Sequence, residues 1–226
     1  MKLKLVYFKM RALAEAPQML MRCHDIDYDY LMSWEYFGDV WPNVKPTLAF
    51  KQLPMLEVNE KQQICQSVAI LQYLETVADI TLSDPIKAAQ SAAILQSSQE
   101  LFAPLNPTVN FAVGDVFNSK KEAMRPNLSS RFSDLAKCLE MYEGQYFIDD
   151  TPRAAEFAAY HHLNLSKLLD ETLIAEFPRL EKFLFDMEEI AELTNYLDER
   201  PQLIDVGTEP KLIINGKTQP TGTMQT

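Results

Sequence analysis

The spacing of apolar residues changes near residue 80, and this change limits the folds that the chain can adopt. Before it, apolar and polar residues alternate over short segments such as Leu3–Phe8, which is typical of half-buried strands. From Asp84 onward the alternation is replaced by helical spacing. The sequence therefore predicts an α/β domain over residues 1–80, an all-α domain over 84–206 and a tail over 207–226.

The first eighty residues are predicted to contain a β-α-β unit and a hairpin. A helix follows the first strand, Tyr28–Met32 forms the second strand, and a right-handed crossover connects the two. Pro54–Val58 and Gln62–Cys65 are predicted as two further strands, with Asn59-Glu60 as the tight turn between them. A helix that begins near Gln66-Ser67 completes this half of the chain.

The second half is predicted to be helical, because strand signals nearly vanish from it. The helical runs cover about 84–116, 120–142, 153–170, 176–187 and 188–198. The tail is polar and rich in Gly, Pro and Thr, so we expect a frayed segment there. A small hairpin closed by Asn215-Gly216 is the alternative for the tail.

The charge balance argues against two classes of partner. Lys and Arg total 21 against 32 Asp and Glu, a net charge of −11, whereas nucleic acid and anionic membranes bind clustered cations. No apolar run approaches the roughly 20 residues that span a bilayer, and we interpret the N-terminus as mature protein, not a signal peptide. Cys23, Cys65 and Cys138 are odd in number and widely spaced, which favours a reducing, cytoplasmic location over disulfides or a zinc site.

Four segments of the first half occur in an order and at a spacing that indicate a family. They are Leu5–Glu15, Trp41–Lys45, Gln52–Val58 and Gln66–Leu74. Through these segments the chain resembles the cytosolic glutathione transferases, closest to the sigma class, which includes haematopoietic prostaglandin D synthase and the squid lens crystallins. The resemblance implies a thioredoxin-like α/β domain that binds glutathione, followed by an all-α domain.

Tyr7 is the predicted catalytic residue. A free thiol titrates near ~8.5 and is a poor nucleophile until it ionises. Tyr7 ends the first strand, and the family implies that its hydroxyl stabilises the glutathione thiolate by a charge-assisted hydrogen bond. On position alone, a tyrosine packed at the edge of the sheet is the alternative.

The resemblance assigns further residues to glutathione. The family keeps Pro54 cis, so that the backbone of Leu53 would pair with the cysteinyl unit like an added strand. Ser67 is expected to cap a helix whose N-terminus binds the γ-glutamyl carboxylate, with Gln66 adding a contact. Trp41 and Lys45 are assigned to the glycyl carboxylate, and the other assigned contacts are Gln52 and, from across a dimer, Gln99. The alternatives are an ordinary proline at the start of a strand for Pro54, a plain helix cap for Ser67 and a core tryptophan for Trp41.

The resemblance also implies a hydrophobic pocket for the second substrate between the domains. Its expected residues are Phe8, Met10, Phe102, Ala103 and Asn106. Core packing explains residues of these types equally well. No metal site is expected, because His161 and His162 are adjacent on a helix and point in different directions.

Five positions depart from the family pattern. Ala12, Asp25 and Glu60 stand where the family usually has glycine. Non-glycine residues at positive φ cost stability, so these changes affect local loop geometry more than the fold. Leu13 stands where prostaglandin D synthase and its relatives have arginine, and Gln99 where they have aspartate, so we expect weaker glutathione binding.

A further departure concerns the start of the helix predicted over 153–170. Arg153 occupies the position of the hydroxyl residue in the family's capping box. Because an arginine cannot cap as a hydroxyl does, we expect Asp150 or Thr151 to cap this helix one turn earlier.

The predicted function is conjugation of glutathione to a hydrophobic electrophile by a homodimer. Phe50 would insert into the partner subunit as in related classes, or be an ordinary exposed phenylalanine. A glutathione-dependent isomerase acting on a lipid is one alternative, and a non-catalytic structural or accessory subunit is another. No cysteine lies near Tyr7 in the sequence, which argues against a thiol-disulfide oxidoreductase.

Overall fold

The computed structural model describes residues 1–109, 112, 114–142 and 144–200, together with the strand residues 213–214 and 217–218. The strands are β1 (Leu3–Tyr7), β2 (Asp29–Met32), β3 (Met55–Val58), β4 (Gln62–Cys65), β5 (Ile213–Ile214) and β6 (Lys217–Thr218). The helices are α1 (Ala12–Cys23), α2 (Ser33–Phe37), α3 (Trp41–Val44), α4 (Ser67–Val77), α5 (Pro85–Gln99), α6 (Phe102–Val109), α7 (Gly114–Met141), α8 (Ala154–Leu169), α9 (Glu171–Ile174), α10 (Pro178–Glu188) and α11 (Ala191–Glu199).

The first half folds around a four-stranded mixed sheet with the strand order β2-β1-β3-β4. β1 pairs in parallel with β2, as the predicted β-α-β unit requires, and antiparallel with β3. At the turn from β3 to β4, Asn59 and Glu60 have φ of 53° and 59°. The Lys61 N–H donates to the Val58 carbonyl across this turn at 3.2 Å. The predicted tight turn is therefore confirmed.

Helix α1 connects the two halves of the molecule. It packs against α4 of the first half and against α8 and α11 of the second. Because neighbours surround it, even its polar side chains Glu15 and Gln18 are buried, together with Met19 and Leu20. The position of α1 is thus set by both halves of the chain.

The prediction of one helix over 84–116 is wrong. Within this stretch α5 ends at Gln99, α6 covers Phe102–Val109, and α7 begins at Gly114, with Glu100 and Leu101 between α5 and α6. Pro104 explains the break, because a continuous helix would need its missing N–H to reach the carbonyl of Glu100. In the first turn of a new helix that N–H is not required.

The predicted cap of α8 is also wrong. The helix begins directly after Arg153, and neither Asp150 nor Thr151 caps it. Glu156 reaches back instead, and its Oε2 accepts the Arg153 N–H at 2.8 Å. The Arg153 guanidinium donates to the carbonyl of Ile80 at 2.8 Å, which ties the start of α8 to the end of the first half.

The tail contains the strands β5 and β6, which pair antiparallel with Ile213 opposite Thr218 and Ile214 opposite Lys217. This pairing supports the hairpin alternative. The Asn215-Gly216 step lies outside the described residues, as does the rest of the tail. Among the described helices, none has the length and apolar character needed to cross a membrane. All three cysteines are free.

His162 leads to a prediction about the pH dependence of stability. Its ring is buried, and burial lowers its pKa from 6.5 to about 4. Below about pH 6.5 the unfolded chain therefore binds a proton that the folded protein does not, so stability falls as pH falls. The variant His162→Asn removes the titrating ring and keeps an amide that can donate to the Ser98 carbonyl. The wild type loses unfolding free energy between about pH 7 and about pH 5, and we expect this loss to be smaller in the variant by about 2 kcal/mol.

Urea denaturation across this pH range provides the measurement. Other buried groups titrate in both proteins, so the difference between the two pH profiles is the quantity to compare. One of them is Glu156, whose pKa burial raises to about 7. Its contribution to stability therefore increases as pH falls through this range, which is opposite to the effect of His162. Parallel pH profiles for the wild type and His162→Asn would contradict the prediction.

Candidate active site

The register of three strands brings separate sequence segments to one edge of the sheet. Val6 pairs with Met55, and Met55 pairs with Cys65. Tyr7 and Gln66 follow Val6 and Cys65 in the chain, and Pro54 precedes Met55. Tyr7, Pro54 and Gln66 therefore lie side by side. The peptide bond between Leu53 and Pro54 is cis, as the resemblance implies.

Tyr7 is buried at this edge, with 4% of its surface exposed. Burial raises the pKa of its phenol, and a hydrogen bond from the Leu13 backbone acts in the opposite direction. Leu13 lies in the first turn of α1, so the phenol lies near the N-terminus of this helix and the positive end of its dipole. The result is a phenol that stays protonated at neutral pH and can donate to a nearby anion.

A turn of four residues, from Phe8 to Arg11, connects Tyr7 to α1. Within it the Met10 N–H donates to the Phe8 carbonyl at 2.7 Å. Ala12 follows with φ of 29°, and the other two positions where family glycines are replaced, Asp25 and Glu60, have φ of 51° and 59°. The structure therefore places non-glycine residues in left-handed backbone at all three of these positions.

Gln66 and Ser67 lie at the start of α4, next to Gln52. The Gln66 Nε2 donates to the Gln52 Oε1 at 3.2 Å, so both amides sit at the same edge of the sheet. Gln66, not Ser67, occupies the N-cap position, and Ser67 is the first helical residue. The expected capping role of Ser67 is therefore wrong, because Gln66 with φ of 76° cannot continue the helix.

Trp41 begins α3, and Lys45 begins the 3-10 turn that follows, so the segment is helical where the shared-face argument requires it. The indole meets the Phe8 ring edge-on, with ring centroids 4.9 Å apart. Phe8 in turn lies 5.3 Å from the Tyr7 ring. Lys45 is exposed, which leaves its ammonium accessible to a carboxylate.

The residues assigned to the hydrophobic pocket are distributed over the β1–α1 turn and α6, which packs against α1. Met10 is buried, Phe102 is half-buried and Ala103 is exposed. The side chain of Asn106 lies outside the described residues. Gln99 is half-buried at the last position of α5. The assignment of all these residues to a ligand stays a prediction.

Two residues near the β1–α1 turn were not recognised from the sequence as part of the site. The hydroxyl of Tyr30 donates to the carbonyl of Phe8 at 3.1 Å. His161 is buried on α8, which packs against α1. The only available signal was the position of Tyr30 on an edge strand beside β1, because contacts between distant segments leave no local pattern.

Comparisons with known proteins agree with this architecture. The model for "Glutathione S-transferase, N-terminal domain" matches residues 1–76, and that for "Glutathione S-transferase, C-terminal domain" matches 106–200. Glutathione S-transferase 1 of Ascaris suum is 25% identical over 203 residues, which cover 88% of this chain and 97% of the relative. Hematopoietic prostaglandin D synthase of Rattus norvegicus is 27% identical over 201 residues, covering 88% and 96%.

A solved structure supports the same fold. The monomeric Na-GST-3, a glutathione S-transferase from Necator americanus, superimposes with a TM-score of 0.78 at 21% identity. The match covers 89% of this chain and 98% of that one.

The left-handed backbone of Gln66 leads to a prediction about stability. A residue with a Cβ is strained at φ of 76°, whereas glycine is not. We expect Gln66→Gly to raise the unfolding free energy by about 1 kcal/mol. Gln66→Ala is the matched control, because it removes the same amide and keeps the Cβ. Equal stabilities of the two variants in chemical denaturation would show that the strain is absent.

Proposed function

The chain belongs to the glutathione S-transferase family, and from this premise we propose that it conjugates the thiolate of glutathione to a hydrophobic electrophile. The observation that carries the proposal is the buried, protonated phenol of Tyr7 beside the first turn of α1. An anion at this point gains a hydrogen bond and the positive end of a helix dipole. The hydrogen bond and the helix dipole together suit a group that becomes an anion, such as an ionising thiol.

In the proposed reaction Tyr7 donates its hydroxyl proton as a hydrogen bond to the sulfur, and the thiol proton passes to solvent. The Leu13 backbone lowers the pKa of the phenol against the effect of burial, which makes the phenol a stronger donor than burial alone would leave it. The thiolate then attacks the electrophilic carbon and a C–S bond forms. In a substitution the leaving group departs with its bonding electron pair, and in an addition that pair moves to the neighbouring atom, which takes a proton from solvent. Activation of the nucleophile and proximity are the two contributions that the protein makes.

The rest of the tripeptide is proposed to lie along the edge of the sheet. The backbone of Leu53 pairs with the cysteinyl unit, and Pro54 fixes its direction. The N-terminus of α4 at Ser67 binds the γ-glutamyl carboxylate, with Gln66 beside it. The other proposed contacts are Gln52, Trp41 and Lys45 toward the glycyl end, and Gln99 from a partner subunit.

For the second substrate we propose an apolar pocket beside the sulfur. Its proposed residues are Phe8, Met10, Phe102, Ala103 and Asn106. Two observations support this pocket. The turn that contains Met10 begins directly after Tyr7, and α6 packs against α1. The domain division at residues 1–80, 84–206 and 207–226 belongs to the same proposal, as do sigma-class membership and a role in detoxification.

A homodimer in the cytoplasm is the proposed form of the protein. The side chain of Phe50 is 58% exposed, which is unusual for a large aromatic ring and suits insertion into a partner subunit. Three free thiols are consistent with a reducing compartment.

A glutathione-dependent isomerase is a second candidate, because rat hematopoietic prostaglandin D synthase is 27% identical along most of both chains. The two reactions share the glutathione site and differ in product. A conjugase consumes glutathione, whereas an isomerase returns it, so the glutathione balance separates them. A non-catalytic subunit would show neither reaction.

Tyr7→Phe tests the proposed chemistry, because it removes one hydroxyl from the site. We expect kcat/KM with glutathione and a generic aromatic electrophile to fall by about 100-fold, as is typical when a donor to a developing anion is removed. The conjugation assay is accompanied by thermal unfolding of both proteins, since the variant must remain folded. Equal turnover of a folded variant would disprove the role of Tyr7, and no turnover by the wild type would favour the non-catalytic reading.

Gln99→Asp tests whether the family's cross-dimer contact can be restored. A carboxylate there would pair with the γ-glutamyl ammonium, so we expect glutathione to bind about threefold to tenfold more tightly. Calorimetric titration measures the affinity, and Gln99→Asn is the uncharged control of the same shape. Unchanged affinity in the aspartate variant would contradict this placement of Gln99.

A further inference from the structure

The position of the Tyr7 phenol relative to α1 depends on the turn between them. Tyr7 ends β1, and α1 begins at Ala12. The chain joins them through Phe8–Arg11, a turn with a short internal hydrogen bond from the Met10 N–H to the Phe8 carbonyl at 2.7 Å. Any shift of this turn would move the first turn of α1 relative to the phenol oxygen.

Tyr30 holds the turn from the side of the sheet. β2 lies beside β1, with Tyr30 opposite Leu5, so the phenol of Tyr30 extends along the edge toward the turn. Its hydroxyl donates to the Phe8 carbonyl at 3.1 Å and lies 3.5 Å from the Met10 carbonyl. The Phe8 carbonyl therefore accepts both an internal bond of the turn and an external one from the neighbouring strand.

The helical half covers the other end of the turn. Helix α8 packs against α1, and its His161 has 2% of its surface exposed. Ala12 has φ of 29°, a conformation that a residue with a Cβ keeps only where its surroundings fix it. Contacts with neighbouring elements thus fix the turn, and Tyr30 supplies hydrogen bonds among them.

We infer that Tyr30 is a positioning residue of the thiolate site: its hydroxyl holds the Phe8 and Met10 carbonyls, and with them the turn that joins Tyr7 to the first turn of α1. The inference rests on the proposed function, since it assigns Tyr30 an effect on the thiolate through Tyr7. Tyr30 itself donates to backbone carbonyls and does not act on the sulfur.

Tyr28 provides a matched control. It lies two residues before Tyr30, is also half-buried, and lines the same cleft beside α1 and α11. Its hydroxyl donates to the Gln18 side chain at 3.2 Å instead of to the turn. Tyr28→Phe and Tyr30→Phe therefore remove the same group from similar surroundings, and only the second loosens the turn.

The first measurement uses the full chain without ligand. Hydrogen exchange of the Met10 amide, followed by NMR, reports whether the turn keeps its internal bond from Met10 to the Phe8 carbonyl. We expect exchange to become about fivefold to tenfold faster in Tyr30→Phe and to stay within about twofold of the wild type in Tyr28→Phe. Equal exchange rates in the two variants would overturn the inference.

The second measurement uses bound glutathione. Ultraviolet absorbance of the thiolate against pH gives the pKa of the bound thiol, and steady-state kinetics give kcat and KM. In Tyr30→Phe we expect a higher thiol pKa and a kcat lower by about threefold to tenfold, with KM for glutathione within about twofold. A purely structural role would lower the melting temperature and leave the thiol pKa unchanged, which would also overturn the inference.

The two measurements separate the inference from the proposed function. If the thiol of glutathione titrates in the wild-type complex as it does in buffer, the proposed function fails. The exchange rate of the Met10 amide still decides whether Tyr30 positions the turn.

Discussion

The antiparallel pairing of β3 with β1 and β4 is the constraint on which the rest of the site depends. It sets Val6 opposite Met55 and Met55 opposite Cys65, and so brings Tyr7, Pro54 and Gln66 to one edge of the sheet. A slip of one residue in this register would turn every side chain of the slipped strand to the other face and separate the three segments. The hairpin turn fixes the register of β3 with β4, because its length and backbone conformation determine which residues pair.

A second constraint acts on α1 from the helical half. Glu15, with 1% of its surface exposed, accepts a hydrogen bond from Arg200 at 2.7 Å, which joins the first turn of α1 to the end of α11. A buried pair of this kind adds little net stability but penalises any arrangement that separates it. Together with the packing of α8 against α1, it fixes the start of α1 relative to the helical half.

The sequence was most informative where structure depends on near neighbours. The alternation in the strands and the Asn59-Glu60 turn were predictable, and so were the strained positions at Ala12 and Asp25, because each follows from local backbone preferences. The break at Glu100 was missed, because apolar spacing alone does not show which turn of a helix a proline occupies. The contact of Tyr30 with the turn was not predictable, because it joins strands through tertiary packing.

The contact between Trp41 and Phe8 has a practical consequence. The chain has only two tryptophans, Trp34 and Trp41, and the indole of Trp41 lies edge-on to the ring that adjoins Tyr7. Its fluorescence is therefore sensitive to events beside the phenol, without any attached label. Replacement of Trp34 by phenylalanine would leave a single emitter, so that ligand entry into the cleft could be followed in real time by stopped-flow optics.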